Sequence, residues 1–165
     1  MSKEKGKELK QKQIWIGDTG ASCHMTNSTK GLINLKAINS NIVFGNGDHL
    51  KATYVGNKKG CVHQKNGIQI PILLKKVKYV PKLACNLFSI STALQNGSIM
   101  EETSRMIKLK KGKNEYIFHH KLQSGKGNVY GICIIDKISD AAFLSMNEIH
   151  EMLGYPSEQI TKATA

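Results

Sequence analysis

From residue 14 to residue 135 the chain is a series of short apolar runs, each stopped by glycine, proline or an asparagine–glycine pair. Runs punctuated in that way suit strands joined by tight turns. Ile14-Trp15-Ile16 is the first. Ile42-Val43-Phe44 and Leu50 to Val55 flank the turn Gly45-Asn46-Gly47-Asp48. Gly60-Cys61-Val62 and Ile68 to Leu74 flank Asn66-Gly67, the residue pair best suited to the left-handed dihedrals of a two-residue hairpin loop. Val77 to Val80 is stopped by Pro81, and later runs fall at about 98–102, 105–110, 115–119 and 128–135. Residues 86–96 read as a short helix with Gly97 as its stop signal. The pattern predicts a mainly β domain, a small barrel or sandwich.

The two ends differ from this middle. Residues 1–13 are rich in lysine, from Lys3 to Lys12, have no apolar period, and read as a basic flexible tail. Near residue 140 the pattern becomes helical. Ser145 to Glu148 forms a capping box, with Ile149, Met152 and Leu153 on one face and Gly154 and Pro156 as the stop. The expected organisation is therefore a tail over 1–13, a β-barrel over 14–102, further strands over 103–135, and a helical C-terminal extension over 136–165.

Charge and cysteine spacing exclude several function classes. The 24 lysines and arginines exceed the 12 acidic residues, giving a formal net charge of +12 that favours polyanions such as RNA or DNA. Aromatic residues make up only 6% of the chain, few for a surface that stacks bases, so non-specific association fits better than a dedicated reader. The lysines at 75, 76, 78, 108, 110 and 111 alternate with apolar residues and read as the solvent faces of strands. Cys23, Cys61, Cys85 and Cys133 are scattered, without the close pairs that a zinc ribbon needs, so no metal is expected. No apolar run is long enough to cross a bilayer, and no membrane partner is expected.

Chemistry concentrates in Trp15-Ile16-Gly17-Asp18-Thr19-Gly20-Ala21-Ser22. A carboxylate on a tight turn directly after an apolar strand, followed by a hydroxyl residue and a glycine, is the arrangement of an aspartic protease. Such chemistry needs two carboxylates ~3 Å apart that share one proton. The chain has four aspartates, Asp18, Asp48, Asp136 and Asp140, and only Asp18 stands in this setting. A second Asp18 must then come from a second chain across a two-fold axis. The alternative is that Asp18 only caps a turn. A cysteine-centred site at Cys23-His24 is disfavoured, because adjacent residues on a strand point to opposite faces.

Three stretches together are more specific than the tripeptide. They are residues 15–26, residues 43–48, and residues 77–91 from Val77-Lys78-Tyr79-Val80-Pro81 to Leu87-Phe88-Ser89-Ile90-Ser91. On them the chain resembles the protease region of Copia-type retrotransposon Pol polyproteins, running into the start of the gag pre-integrase segment. The resemblance implies a small closed barrel of the retroviral aspartic protease kind and an endopeptidase that processes its polyprotein as a homodimer without cofactor. It implies Asp18, Thr19 and Gly20 as the catalytic loop and Gly45, Asn46, Gly47 and Asp48 as the flap over a bound peptide. It also implies supporting roles for Ala21, Leu87, Phe88 and Ser89 beneath the loop. Location would be a cytoplasmic particle, with the nucleus as an alternative.

Two positions depart from the family pattern. Gly17 stands where the family has a bulky apolar residue, so packing beneath the site is expected to be lost and the strand loosened. Tyr155 stands where the pre-integrase segment has its second zinc-binding histidine, so His150 is expected to be an ordinary helix residue. These departures motivate the competing expectation, a catalytically inactive β-barrel scaffold associated with nucleic acid.

Overall fold

The computed structural model describes residues 12–63, 67–124 and 127–136. The expected tail over residues 1–11, Asn66 of the second hairpin and the expected helical extension after residue 136 lie outside these residues.

The described chain is mainly strand, with one short helix. Its order is β1 (Lys12–Asp18), β2 (Met25–Thr26), β3 (Leu32–Val43), β4 (His49–His63), β5 (Gln69–Tyr79), β6 (Asn86–Ser89), helix α1 (Ile90–Gln95), β7 (Ile99–Glu102), β8 (Ile107–Lys111), β9 (Asn114–Phe118), β10 (His120–Ser124) and β11 (Gly127–Ile135). The first strand starts at Lys12, two residues inside the stretch expected to be tail. The expected helix over 86–96 is shortened to α1. Residues 86–89 are extended because they pair with β1, and Ser89 then caps the helix, its Oγ accepting from the Thr92 backbone N–H.

Several runs that look separate in sequence are continuous strands in space. β4 joins the runs on either side of Gly56, and β5 joins Gln69–Leu74 to Val77–Tyr79. The β4–β5 register shifts between Gly56 and Lys58, where Lys75 and Lys76 of β5 together face the single residue Asn57. Lys76 takes a φ of 57°, and its N–H donates to Asn57 Oδ1 at 3.2 Å. A bulge thus absorbs the polar break without ending the strand.

Eight strands form one sheet in the order β10-β11-β1-β6-β2-β5-β4-β3. β1 lies antiparallel to β11 on one side and parallel to β6 on the other. β11 also meets β4 at one bridge, Ile135 opposite Cys61. The neighbouring Gly60 permits that approach, since a Cβ there would sit 2.7 Å from the Ile135 carbonyl oxygen. The sheet is therefore barrel-like, not the fully closed barrel expected. A single bridge joins its two sides, and β10 and β3 remain at its margins.

β7, β8 and β9 make a second, three-stranded antiparallel sheet. Its inner face contributes Ile107, Leu109, Tyr116 and Phe118 to a core that also holds Trp15, Ile72, Leu74, Val77, Phe88 and Ile90. Its outer face carries lysines as expected. Lys108 lies 3.9 Å from Glu101 and 3.7 Å from Glu115, and Lys110 lies 3.6 Å from Glu101. A smaller cluster of Ala21, Met25, Ala52, Val80 and Leu83 packs under the β3–β4 hairpin. One lysine breaks the surface pattern: Lys58 is fully buried and ion-paired with Asp136.

Candidate functional site

β1 delivers Asp18 to its C-terminal end, and the parallel pairing with β6 sets Gly17 beside Phe88 and Asp18 beside Ser89. The turn that follows is locked by Asp18 itself, whose Oδ1 accepts from the Gly20 N–H at 2.8 Å. Asp18 is half-buried, Thr19 and Gly20 are exposed, and Ala21 is buried. The catalytic loop expected from sequence is thus one short, accessible turn.

Ser89 braces this turn from below. Its Oγ donates to the Ala21 carbonyl at 2.6 Å, and the Thr92 hydroxyl at the start of α1 donates to the Ser22 carbonyl at 3.2 Å. The Ser89 N–H donates to Nδ1 of His24 at 2.9 Å, fully within the core. His24 also lies against the Phe88 ring, with centroids 4.8 Å apart. Burial drives its pKa down to about 3, so the ring is neutral and its Nδ1 can accept. A buried pair continues the brace, Thr26 Oγ1 donating to Asn86 Oδ1 at 2.7 Å. Leu87 and Phe88 lie beside Ile16 and Gly17, under the loop.

Gly17 does not leave a gap. A Cβ at this position would stand 3.1 Å from Phe118 and 3.2 Å from Ile90. Phe118, from the second sheet, meets Phe88 edge-on at a centroid distance of 5.0 Å and fills the space beneath the strand. The expected loss of packing is overturned: the missing side chain is replaced by one from β9.

The β3–β4 hairpin bends over the loop from the other direction. Its tip is stapled by Phe44 N–H to the Asp48 carbonyl and Gly47 N–H to the Phe44 carbonyl, both 2.9 Å, and by the Asp48 N–H to Asn46 Oδ1 at 2.9 Å. A cavity of about 310 Å³ separates loop and hairpin, lined by Asp18, Gly20, Met25, Ile42, Phe44 and Gly45 among others. Of the four flap residues expected from sequence, Gly45 lines this cavity; Asn46, Gly47 and Asp48 shape the tip and do not. Ile42, Val43 and Phe44 take the lining role that sequence reasoning missed.

A second cavity of about 590 Å³ opens on the opposite side of Asp18, toward β7 and the β10–β11 hairpin. Asp18 and Thr19 share it with Cys85, Glu102 and Tyr130. The Cys85 thiol is pushed up in pKa by partial burial and then by the Asp18 carboxylate. Cys23 is likewise raised by burial. Both thiols stay protonated, and His24 Nδ1 is engaged by Ser89, so the Cys23-His24 pair offers neither thiolate nor base. Among the described residues no second aspartate lines either cavity. Asp48 sits at the hairpin tip and Asp136 pairs with Lys58.

Residues 15–98, half of the chain, match the model of the family described as Pol polyprotein, beta-barrel domain. The chain belongs to this family. Among curated proteins none matches it. The matched segment of this Pol β-barrel domain contains the Asp18 loop, the hairpin over it and the Ser89 brace. The strand that flanks β1 on its other side, β11, and most of the wall of the larger cavity lie beyond residue 98. His24, weighed from sequence only as a partner of Cys23, acts instead as a buried acceptor beneath the loop, and the Thr26–Asn86 pair was not anticipated. Both contacts join residues about 60 positions apart, so no local pattern marked them.

Proposed function

We propose that this Pol β-barrel domain is of the Copia retrotransposon type and acts as an aspartic endopeptidase on its own polyprotein, through two Asp18 side chains paired across a homodimer. The observation that carries this reading is the position of Asp18. Its carboxylate is held on a braced turn at the end of a buried strand, open to a cavity that the β3–β4 hairpin covers. In the paired site one carboxylate, ionised, takes a proton from water as the water oxygen bonds to the scissile carbonyl carbon. The other, protonated, gives its proton to the carbonyl oxygen. Collapse of the tetrahedral species breaks the C–N bond, with a proton passing to the leaving nitrogen. In this reading Thr19, exposed beside Asp18, bridges the two loops.

The test is cleavage of a polypeptide spanning polyprotein junctions at mildly acidic pH, by wild type and by Asp18→Asn. We expect the substitution to lower kcat/KM by at least ~10³-fold with little change in melting temperature, since the dyad acts as a unit. Equal cleavage by the two proteins would rule out Asp18 as the catalytic group.

A second reading rests on the net charge of +12. In it the domain is a non-catalytic scaffold that holds nucleic acid. It predicts that affinity for single-stranded RNA falls steeply with salt, by about 0.7 log unit of affinity per log unit of salt for each phosphate neutralised. Affinity that stays level across a threefold rise in salt would count against it.

A further inference from the structure

We propose that the larger cavity beside Asp18 is a subsite for a lysine or arginine side chain of an extended peptide, with Glu102 receiving the cation. The inference rests on the endopeptidase reading of Asp18 and adds a substrate preference to it. The cavity is built in two layers. Its floor is apolar and buried, made by Ile16, Ile107 and Tyr130. Its rim is exposed and mostly polar, and holds Glu102, Gln123 and Asn128 beside Leu122. A long aliphatic stem with a charged end fits such a shape, because the stem covers apolar surface while the cation stays at the wet edge.

Charge decides between cation and neutral side chains. On a chain with twice as many basic as acidic residues, the charged groups that line this cavity among the described residues are both carboxylates, Asp18 and Glu102. Glu102 is also available. Its neighbour Glu101 is occupied by Lys108 and Lys110 on the outer face of the second sheet, whereas Glu102 forms no ion pair among the described residues. Glu102 stands directly opposite Ile107 in the β7–β8 register, which turns it to the face on which Ile107 floors the cavity. At about 590 Å³ the space is ample for one such side chain and part of its backbone.

The probe is a set of fluorescein-labelled octapeptides of apolar background, with a single lysine moved through every position, and the same set with Nε-acetyl-lysine. Binding is measured by anisotropy with the full chain carrying Asp18→Asn, to prevent turnover, with and without Glu102→Gln. In at least one register we expect the lysine peptide to bind about fivefold tighter than its acetylated partner, and Glu102→Gln to remove the difference. The sign is informative, since the overall positive charge of the protein disfavours the cationic peptide. Equal binding of the two sets at every position, no binding by either, or a preference unchanged by Glu102→Gln would each overturn the subsite. The wild-type chain is then given the same peptides. A lysine preference in binding without cleavage would sink the endopeptidase reading alone, and cleavage indifferent to lysine would sink the subsite alone.

Discussion

At the scale of single residues, His24 connects the pH behaviour of the fold to that of the site. Its ring accepts a hydrogen bond from Ser89, whose hydroxyl in turn holds the Asp18 loop. Protonation would replace that acceptor with a donor in a closed, apolar pocket. The folded-state pKa of about 3 lies below the ordinary value of 6.5, so between those limits the unfolded chain binds the extra proton. Stability is therefore full above pH 6.5, falls as the pH drops through this window, and levels out near pH 3. The loss is on the order of 2 kcal/mol by pH 5 and 4 kcal/mol by pH 3. His24→Asn supplies a neutral acceptor without a titration. We expect its unfolding free energy to vary less with pH than that of wild type between pH 6.5 and 4, even though lost ring packing lowers it throughout. Parallel curves in urea unfolding would show that His24 does not carry the acid sensitivity. If the endopeptidase reading holds, the loss of His24's contribution at low pH would set a lower limit to the pH range of the proposed activity.

At the scale of elements, the segment that matches the family model does not complete its own core. β1 carries both Trp15 and Asp18, yet its antiparallel neighbour is β11, and the ring beneath Gly17 comes from β9. Ile107, Leu109, Tyr116, Phe118, Tyr130, Ile132 and Ile134 of the main core all lie after residue 98. Each buried side chain of this size contributes ~1.5–3 kcal/mol, so together they rival the whole net stability of a typical domain. A chain ending at Ser98 should fail to give a cooperative unfolding transition. Its amide protons in β1 should exchange fast, as an edge strand without cover would. A cooperative melt within a few degrees of the full chain would show that the second sheet and β11 are accessories. The β3–β4 hairpin depends less on the main core. It rests on the smaller cluster under Ala52 and Val80 and staples its own tip.

At the scale of the whole molecule, the chain supplies one Asp18 and, among the described residues, no aspartate beside it. The proposed chemistry is then a property of two molecules. With substrate in excess, the cleavage rate should rise with the square of protein concentration below the dimer dissociation constant and linearly above it. A rate that remains linear down to the lowest concentrations, where the chain sediments as a monomer, would assign the activity to a single copy. A large positive charge on both partners opposes their approach, so added salt should shift the change of slope to lower concentration.

The sequence by itself determined the elements whose causes are local. Alternating apolar residues and glycine turns made most of the strands legible. Asp18-Thr19-Gly20 after Trp15-Ile16 marked the loop, and Gly45 to Asp48 marked the hairpin tip. Where the local signal was weak, reading failed. β3 is a margin strand with irregular register and mostly exposed residues, and β10 is similarly exposed, so neither has a strong alternation. The helix over 86–96 was overextended because nothing local says that Asn86–Ser89 must pair with β1. Tertiary structure alone decided what fills the space at Gly17, which strand flanks β1, that His24 and Ser89 meet across 65 residues, and that Lys58 turns inward to Asp136. Each of these is a contact between residues far apart in the chain. It is chosen by the packing of the completed core and the need to satisfy buried polar groups, and no short pattern encodes either.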